Sequence, residues 1–235
     1  WEFLPTTLLS QADSCIGSKS SINSGDTKNI LGTFTPPREV FISESFLETL
    51  ENCDVRSGVG EMLKAHAIKG PDAFQQIARD YDCLFSDPLC MRGYIRASLE
   101  IKKEYIETDE FDQGIRNIFN YGHSFGHAIE SATHFQIPHG IAVTIGMDMA
   151  NYVAFRIGRC DEQHYLVSHD VLRKNYAAFA AHPVPYEAFL SAISKDKKNI
   201  GQQLSLILPG RDRRVSKDMY DFSDELKAVF SEYLE

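Results

Sequence analysis

The stretch NIFNYGHSFGHAIE, residues 117–130, carries two histidines four positions apart, each directly after a glycine. Residues at this spacing share one face of a helix, so His123 and His127 could chelate one divalent ion. A phosphate site, or a partly buried helix whose histidines bond to neighbouring groups, would show the same spacing. Since no glutamate stands between the two histidines, as it does in HExxH zinc helices, the pair alone leaves these alternatives open.

Two residues elsewhere in the chain favour a metal site. His139 lies in QIPHGIAV, after a proline and at the start of an apolar helical pattern, sixteen residues beyond His123. Glu61 lies in the apolar helical pattern GVGEMLKAH, where a carboxylate is costly to bury unless it is paired or binds a metal. One glutamate with two histidines leaves a coordination position open, which is the pattern of a catalytic divalent site.

The composition argues against several other classes of function. The chain has 235 residues and a formal net charge of −9, which disfavours nucleic-acid binding because that needs a basic surface. No apolar run of about 18 residues and no signal peptide is present, so we expect a cytoplasmic protein without membrane contact. The five cysteines are odd in number and form no CxxC, which indicates free thiols in a reducing compartment.

The first 55 residues read as the end of an α/β segment. EFLPTTLL, residues 2–9, predicts a strand end that runs into a turn and a helix, and EVFIS, residues 39–43, predicts a short strand. Residues 16–37 are rich in Gly, Ser, Asn and Asp and predict a loop. Because the chain opens at Trp1 in the middle of a pattern, we expect a segment upstream of it.

From residue 56 the apolar residues recur with the period of a helix. A helical pattern runs through 114–135, and the most apolar one, over 140–158, is expected at the centre of a bundle. One strand, QLSLILPG at 203–210, is predicted among the later helices. The sequence therefore predicts a mainly α fold, with an α/β remnant at 1–55 and a helical domain at 56–235.

Four blocks of the sequence together resemble a known family. The blocks PTTLLSQADSCIGSKSSINSGDTKNILGTF, GVGEMLKAHAI, GIRNIFNYGHSFGHAIE and PHGIAV are similar, in order and spacing, to 3-dehydroquinate synthase and its sugar-phosphate cyclase relatives. The resemblance extends from Pro5 to the DKK at 196–198. It implies a dehydroquinate-synthase-like helical domain that binds metal and substrate, preceded by the remnant of an α/β NAD-binding domain. It also implies NAD and Zn²⁺ or Co²⁺ as cofactors, and a homodimer.

The resemblance also implies a role for individual residues. The implied metal ligands are Glu61, His123 and His139, whereas His127 is similar to a histidine that contacts the substrate phosphate. Further residues implied on the phosphate side are Lys19, Asn29, Asn120 and Lys197, with Lys198 as the rival of Lys197. The substrate carboxylate is assigned to Arg116 and Lys102, and the substrate hydroxyls to Asp13 and Lys64. The residues that match positions lining the NAD cleft are Thr6, Thr7, Lys19, Lys28, Phe46 and Thr49.

The reaction that the resemblance implies is that of a carbon–oxygen lyase. A seven-carbon keto-acid sugar phosphate (DAHP) would be converted to 3-dehydroquinate and phosphate, a step of the shikimate pathway and so of aromatic amino-acid biosynthesis. The alternatives are a cyclase of the 2-deoxy-scyllo-inosose or 2-epi-5-epi-valiolone synthase type, a glycerol-dehydrogenase-like oxidoreductase, or a degenerate domain without catalysis. The Gly-rich loop of the family's NAD site is absent from these residues, so we expect this chain to bind NAD poorly and to be inactive alone.

Overall fold

The structure, a computed structural model, describes residues 1–24 and 27–235, with side chains for all of these except 23, 24 and 27–30. Two very short strands, β1 (Glu2–Phe3) and β4 (Glu39–Val40), pair in parallel near the amino terminus. β1 leads into a π-helical turn at Ser10–Ser14, and β4 leads into a 3₁₀ helix at Glu44–Thr49. The strand predicted over 39–43 is therefore confirmed only in its first two residues.

The loop predicted over 16–37 is wrong. Two strands, β2 (Lys19–Ser24) and β3 (Thr27–Phe34), form an antiparallel pair there, with Lys19 opposite Phe34. The apolar side chains of the pair that are described, such as Ile22 and Leu31, remain exposed. Backbone hydrogen bonds pair these strands, and their described side chains form no buried face, so the composition carried little strand signal.

Nine helices of the described residues form the rest of the fold, and the mainly α architecture is confirmed. They are α1 (Asn52–Lys69), α2 (Pro71–Arg79), α3 (Cys83–Ser86), α4 (Pro88–Thr108), α5 (His123–Ala132), α6 (His139–Arg156), α7 (Glu162–Tyr176), α8 (Tyr186–Ser194) and α9 (Asp224–Leu234). α1 spans the domain boundary predicted near residue 55, which stays a prediction. None of the described helices combines the length and the apolar character needed to cross a membrane.

The apolar helix α6 is the centre of the core, as its sequence predicts. Nearly all its side chains are buried, and it packs against α1, α5, α7 and α9. Polar groups fix several helix starts: Asp87 caps α4, Asp161 caps α7 and Ser223 caps α9 through side-chain oxygens that accept backbone N–H groups. Burial of the α6 side chains is the main stabilising contribution at this point of the fold.

The strand predicted at 203–210 is confirmed as β5 (Gln203–Pro209), but its partner was not predicted. β6 (Val215–Asp221) pairs with β5 antiparallel along its whole length. β5 is almost wholly buried, whereas β6 is mostly exposed and reads VSKDMYD. A polar edge strand of this kind forms because it pairs with a buried neighbouring strand, so the sequence of β6 alone gives little indication of a strand.

The helical pattern over 114–135 is interrupted. A 3₁₀ helix at Ile115–Asn120 ends before Gly122, and α5 begins only at His123. Gly122 has a φ of +78°, and a Cβ there would lie 2.7 Å from the carbonyl oxygen of Val143 in α6. Glycine therefore allows both the left-handed turn and the close approach of the two helices. This turn sets the direction in which α5 presents its histidines.

Candidate active site

Glu61 lies at the centre of the site, on the buried face of α1. It is 2% exposed, and its Oε1 lies 3.6 Å from Nε2 of His123 and 3.6 Å from Nε2 of His139. Its second oxygen contacts the ammonium group of Lys64, one turn along the same helix. The three predicted metal ligands, which come from three different helices, are therefore brought together.

The start of α6 is fixed to α1 beside Glu61. The hydroxyl of Ser57 accepts a hydrogen bond from the backbone N–H of Gly140 at 2.9 Å. Ser57 precedes Glu61 by four residues, so both lie on one face of α1. Pro138 occupies the N-cap position of α6, so that His139 is its first residue. This anchoring places the His139 ring against the Glu61 carboxylate.

His123 is oriented from its other side. Its Nδ1 lies 3.2 Å from the carbonyl oxygen of Tyr121. An N–H at Nδ1 that donates to this carbonyl leaves the lone pair of Nε2 facing Glu61. Burial, then the charge of Lys64, keeps the pKa of His123 well below its ordinary value, so the ring is neutral. A neutral imidazole with a free lone pair is the form that binds a metal.

His127 also belongs to this cluster. Nitrogen atoms of His123, His127 and His139 all lie within 4.8 Å of one another, and the His123 and His127 ring centroids are 5.3 Å apart. Two ligands of one tetrahedral ion at 2.0–2.2 Å are roughly 3.4 Å apart, so the two 3.6 Å contacts of Glu61 fit a shared ion well. The donor set fits a divalent metal, and the position of His127 is compatible with both the ligand role and the phosphate role.

A second set of charges lies beyond Lys64. Asp13, on the π-helical turn, lies 3.6 Å from Nζ of Lys64 and 3.0 Å from Nζ of Lys102. Burial would raise the pKa of Asp13, but Lys102 and Lys64 outweigh it and lower that pKa. Burial likewise opposes the charge of Lys64, yet Asp13 and Glu61 raise its pKa. The row Glu61–Lys64–Asp13–Lys102 thus alternates in sign, which stabilises four charges in a largely buried place.

Arg116, on the 3₁₀ helix that precedes α5, is another buried charge and is 6% exposed. Its guanidinium donates to the carbonyl oxygen of Glu110 and lies against Gly17, where a Cβ would be only 2.8 Å from Nη2. Gly17 has a φ of +99°, so both its backbone conformation and this contact favour glycine. Among the side chains that the structure describes, no carboxylate forms an ion pair with Arg116. A buried guanidinium in this state is suited to bind an anion.

The predicted phosphate side is only partly assembled. Asn120, His127, Lys197 and Lys198 line one cleft of about 540 Å³ beside α5. Within the cleft, Lys198 lies 3.5 Å from the carboxylate of Asp196, whereas Lys197 is exposed.

Lys19, which was also predicted on the phosphate side, does not line that cleft. Lys19 instead forms an ion pair with Asp112 at 2.5 Å. The side chains of Lys28 and Asn29 lie outside the described residues.

Four of the residues predicted for NAD binding follow the two strands of the short parallel sheet. Thr6 and Thr7 follow β1, and Phe46 and Thr49 follow β4. The carboxyl ends of parallel strands meet at the same edge, where α/β folds bind their ligands. The two segments are tied by Gln11, whose amide donates to the carbonyl oxygens of Pro5 at 3.1 Å and Ser43 at 2.8 Å.

One residue of the site was not predicted. Glu130, at the end of α5, is 3% exposed, and its Oε1 lies 3.3 Å from Nδ1 of His139. It follows His123 by seven residues and His127 by three, so it shares their helix face. An acid on the face of an otherwise apolar helix was the available signal.

Comparison with solved structures identifies the fold. The chain is similar to 2-epi-5-epi-valiolone synthase from Streptomyces hygroscopicus subsp. jinggangensis, solved with NAD⁺ and Zn²⁺ bound, with a TM-score of 0.87 at 24% identity over 99% of this chain and 66% of that one. A 2-deoxy-scyllo-inosose synthase complexed with carbaglucose-6-phosphate, NAD⁺ and Co²⁺ gives a TM-score of 0.80 at 23% identity, covering 99% of this chain and 66% of that one. The fold is therefore that of the sugar-phosphate cyclases.

The sequence comparisons narrow this class to one family. The family "3-dehydroquinate synthase C-terminal" matches residues 58–199 and the family "3-dehydroquinate synthase N-terminal" matches residues 2–57. The chain belongs to the 3-dehydroquinate synthase family, as its motifs predict.

Two relatives show how much of the family's length the chain represents. It is 38% identical over 208 residues to the 3-dehydroquinate synthase of Dictyoglomus thermophilum, covering 88% of this chain and 58% of the relative. It is 35% identical over 233 residues to that of Alkaliphilus metalliredigens, covering 98% and 65%. The chain thus spans about three fifths of the length of the curated relatives that it matches.

Proposed function

We propose that this chain carries the metal- and substrate-binding domain of a 3-dehydroquinate synthase, a lyase that cyclises DAHP to 3-dehydroquinate and releases phosphate. The reaction would serve the shikimate pathway in the cytoplasm, and the assembled enzyme would be a homodimer. Membership of the family supports the reaction class. The observation that supports this particular substrate is the buried guanidinium of Arg116, which pairs with no described carboxylate of the chain.

The cofactors of the proposal are NAD and Zn²⁺ or Co²⁺, which the solved relatives hold. Glu61, His123 and His139 would hold the metal, whose chemistry is that of a Lewis acid toward oxygen atoms of the substrate. Thr6, Thr7, Lys19, Lys28, Asn29, Phe46 and Thr49 are the residues proposed for the NAD side, and NAD would accept and return one hydride.

The chain's own residues would hold the substrate by its two anionic ends. Arg116 and Lys102 would bind the carboxylate, for which a guanidinium offers two parallel N–H groups. Asn120, His127 and Lys197 would bind the phosphate from the cleft beside α5. Two fixed ends orient the reacting carbons between them, which lowers the entropy cost of reaction.

Lys64 and Asp13 would face the hydroxyl groups between these ends. Because the pKa of Lys64 is raised by Asp13 and Glu61 against the effect of burial, its Nζ stays protonated and donates hydrogen bonds. The lowered pKa of Asp13 keeps that carboxylate charged, so that it accepts them. Together they would favour a substrate whose hydroxyl groups can accept a hydrogen bond from Lys64 and donate one to Asp13.

The second candidate is a cyclase for a sugar phosphate without a carboxylate, as the two structural relatives suggest. Such an enzyme has no partner for the Arg116 guanidinium, and a buried charge without a partner is costly. The position of Arg116 therefore favours the acid substrate over the neutral-tailed sugars.

Calorimetric binding to the Zn²⁺-loaded chain tests this choice. DAHP should bind more tightly than glucose 6-phosphate or sedoheptulose 7-phosphate. Arg116→Ala should weaken DAHP binding by about 2–5 kcal/mol, as for a truncated buried charge pair, while Arg96→Ala, an exposed arginine on α4, should not. Release of inorganic phosphate from DAHP would test turnover. A preference for either neutral-tailed sugar would refute the assignment.

A further inference from the structure

The His139 ring lies between two buried carboxylates, one at each nitrogen. Glu61 Oε1 is 3.6 Å from its Nε2, and Glu130 Oε1 is 3.3 Å from its Nδ1. The glutamate side chains are 2% and 4% exposed, whereas the His139 side chain is 36% exposed. His139, the most exposed of the proposed metal ligands, therefore lies between two buried acids, Glu61 and Glu130.

The Glu130 carboxylate determines which nitrogen of His139 carries the proton. A neutral imidazole has one N–H, and a carboxylate accepts hydrogen bonds but donates none. Both nitrogens of His139 face a carboxylate, but Glu130 is the nearer one, at 3.3 Å against 3.6 Å for Glu61. Glu130 therefore favours the tautomer with its proton on Nδ1 and its lone pair on Nε2. That lone pair then faces Glu61, where the proposed metal position lies.

The two proposed histidine ligands are oriented by different kinds of acceptor. His123 has the neutral carbonyl oxygen of Tyr121 at its Nδ1, 3.2 Å away, and its side chain is only 13% exposed. Packing therefore helps to hold the His123 ring. His139 is more open, and the ionised acceptor beside it forms the stronger type of hydrogen bond. The charged partner lies beside the ring that packing holds less firmly.

We propose that Glu130 is a positioning residue, which fixes the ring and tautomer of His139 so that Nε2 is presented to the divalent metal. This inference rests on the proposed metal function of the site. Glu130 acts through His139 and is not itself one of the proposed metal ligands. A partner of this kind typically contributes 10–100-fold to metal affinity.

The test is the Zn²⁺ affinity of the 235-residue chain, measured by competition with a chromogenic chelator. Glu130→Ala should weaken Zn²⁺ binding about 10–100-fold. Glu130→Gln keeps the volume and an acceptor oxygen but loses the charge. Its Zn²⁺ affinity should therefore lie between that of Glu130→Ala and that of the wild type. With Co²⁺ as the probe, the visible absorption of Glu130→Ala should differ from that of the wild type, which a purely structural role would not cause.

Asp148→Asn is the matched control. Asp148 is also a buried carboxylate with a histidine partner, His169, whose Nδ1 lies 2.9 Å away. It lies nine residues after His139 on α6, about 13 Å along the helix axis. This variant should destabilise the fold to urea but leave the Zn²⁺ affinity within about threefold of the wild type.

Three results separate the possibilities. If Glu130→Ala binds Zn²⁺ as the wild type does, with an unchanged Co²⁺ spectrum, the positioning role is refuted. If Asp148→Asn loses as much affinity as Glu130→Ala, the loss reflects a loosened fold, and the proposal is again overturned. Should Glu130→Ala not fold, a Glu130→Gln affinity equal to the wild type is decisive against it. A wild-type chain that binds no Zn²⁺ would instead refute the proposed metal site itself.

Discussion

Replacing His123 by alanine and replacing His127 by alanine should affect metal binding very differently. Nε2 of His123 lies 3.6 Å from Glu61 Oε1, close to the roughly 3.4 Å between two ligands of one tetrahedral ion. His127 is exposed and lines the cleft that also contains Lys197. The structure therefore leads us to expect that His123 binds metal and His127 binds phosphate.

The size of the effect follows from the number of ligands. A partner that merely orients a ligand contributes about 10–100-fold to metal affinity. Loss of one of only three protein ligands should exceed that range, so His123→Ala should weaken Zn²⁺ binding by more than about 100-fold, or about 2.7 kcal/mol. His127→Ala should stay within about threefold of the wild type and should instead weaken the binding of inorganic phosphate.

Both variants are measured in the same two assays, chelator competition for Zn²⁺ and calorimetry with inorganic phosphate on the Zn²⁺-loaded chain. His182→Ala, a histidine in a separate cleft formed by α6, α7 and α9, controls for nonspecific Zn²⁺ binding. Equal loss of Zn²⁺ in His123→Ala and His127→Ala would refute the reasoning. The two histidines would then form the simple HxxxH chelate that their spacing first suggests.

Three further predictions concern the fold and the phosphate side. Gly122→Ala should destabilise the chain to urea by about 2–5 kcal/mol, since it adds a strained φ and a clash with α6. The hydrogen bond with Asp148 outweighs burial and raises the pKa of His169. The stabilisation by protonated His169 is therefore present below the unfolded pKa of about 6.5 and is lost as pH rises through the folded pKa. His169→Asn should cost more unfolding free energy at pH 6 than at pH 8.5, and an equal cost would contradict this. Lys197→Ala should weaken the binding of inorganic phosphate, measured by the same calorimetry, by about 1.5–3 kcal/mol. Lys198→Ala should have less effect, because Lys198 is already paired with an aspartate. The reverse order would make Lys198 the phosphate ligand.

Periodicity predicted the helices that bury a continuous face, and it failed where backbone pairing or a single glycine decides the structure. α6 has apolar residues on every face of the helix, so its sequence predicts a buried position. The described side chains of β2 and β3 and most side chains of β6 are exposed, so no alternating apolar pattern in the sequence indicated these strands. The break at Gly122 depends on how closely α6 approaches, which is a property of the packed fold and not of residues 114–135 alone.

The convergence of Glu61, His123 and His139 was predictable because Glu61 and His139 stand in local patterns that favour a metal site. The family resemblance then chose His123 over His127 as the second histidine. Glu130 stands in the same block as His123 but reads as an ordinary acid near a helix end. Its burial arises only when the start of α6 docks on α1 through Ser57 and brings His139 over it. The acid on the helix face was therefore only a weak signal, because the function of Glu130 depends on a contact between distant segments.

The charges of the site are consistent with the proposed substrate, which has two anionic groups, although the chain has a net charge of −9. Lys64 and Lys102 are already balanced by Glu61 and Asp13, so they hold the site together and add little net attraction. Within the described part of the chain, Arg116 and Lys197 form no ion pair with a carboxylate. Lys197 lines the cleft beside α5, and Arg116 lies against Gly17. A substrate with a carboxylate at one end and a phosphate at the other would pair with both. A sugar phosphate with a neutral tail would satisfy Lys197 alone and would leave a buried guanidinium without its anion, at a cost that the acid substrate avoids.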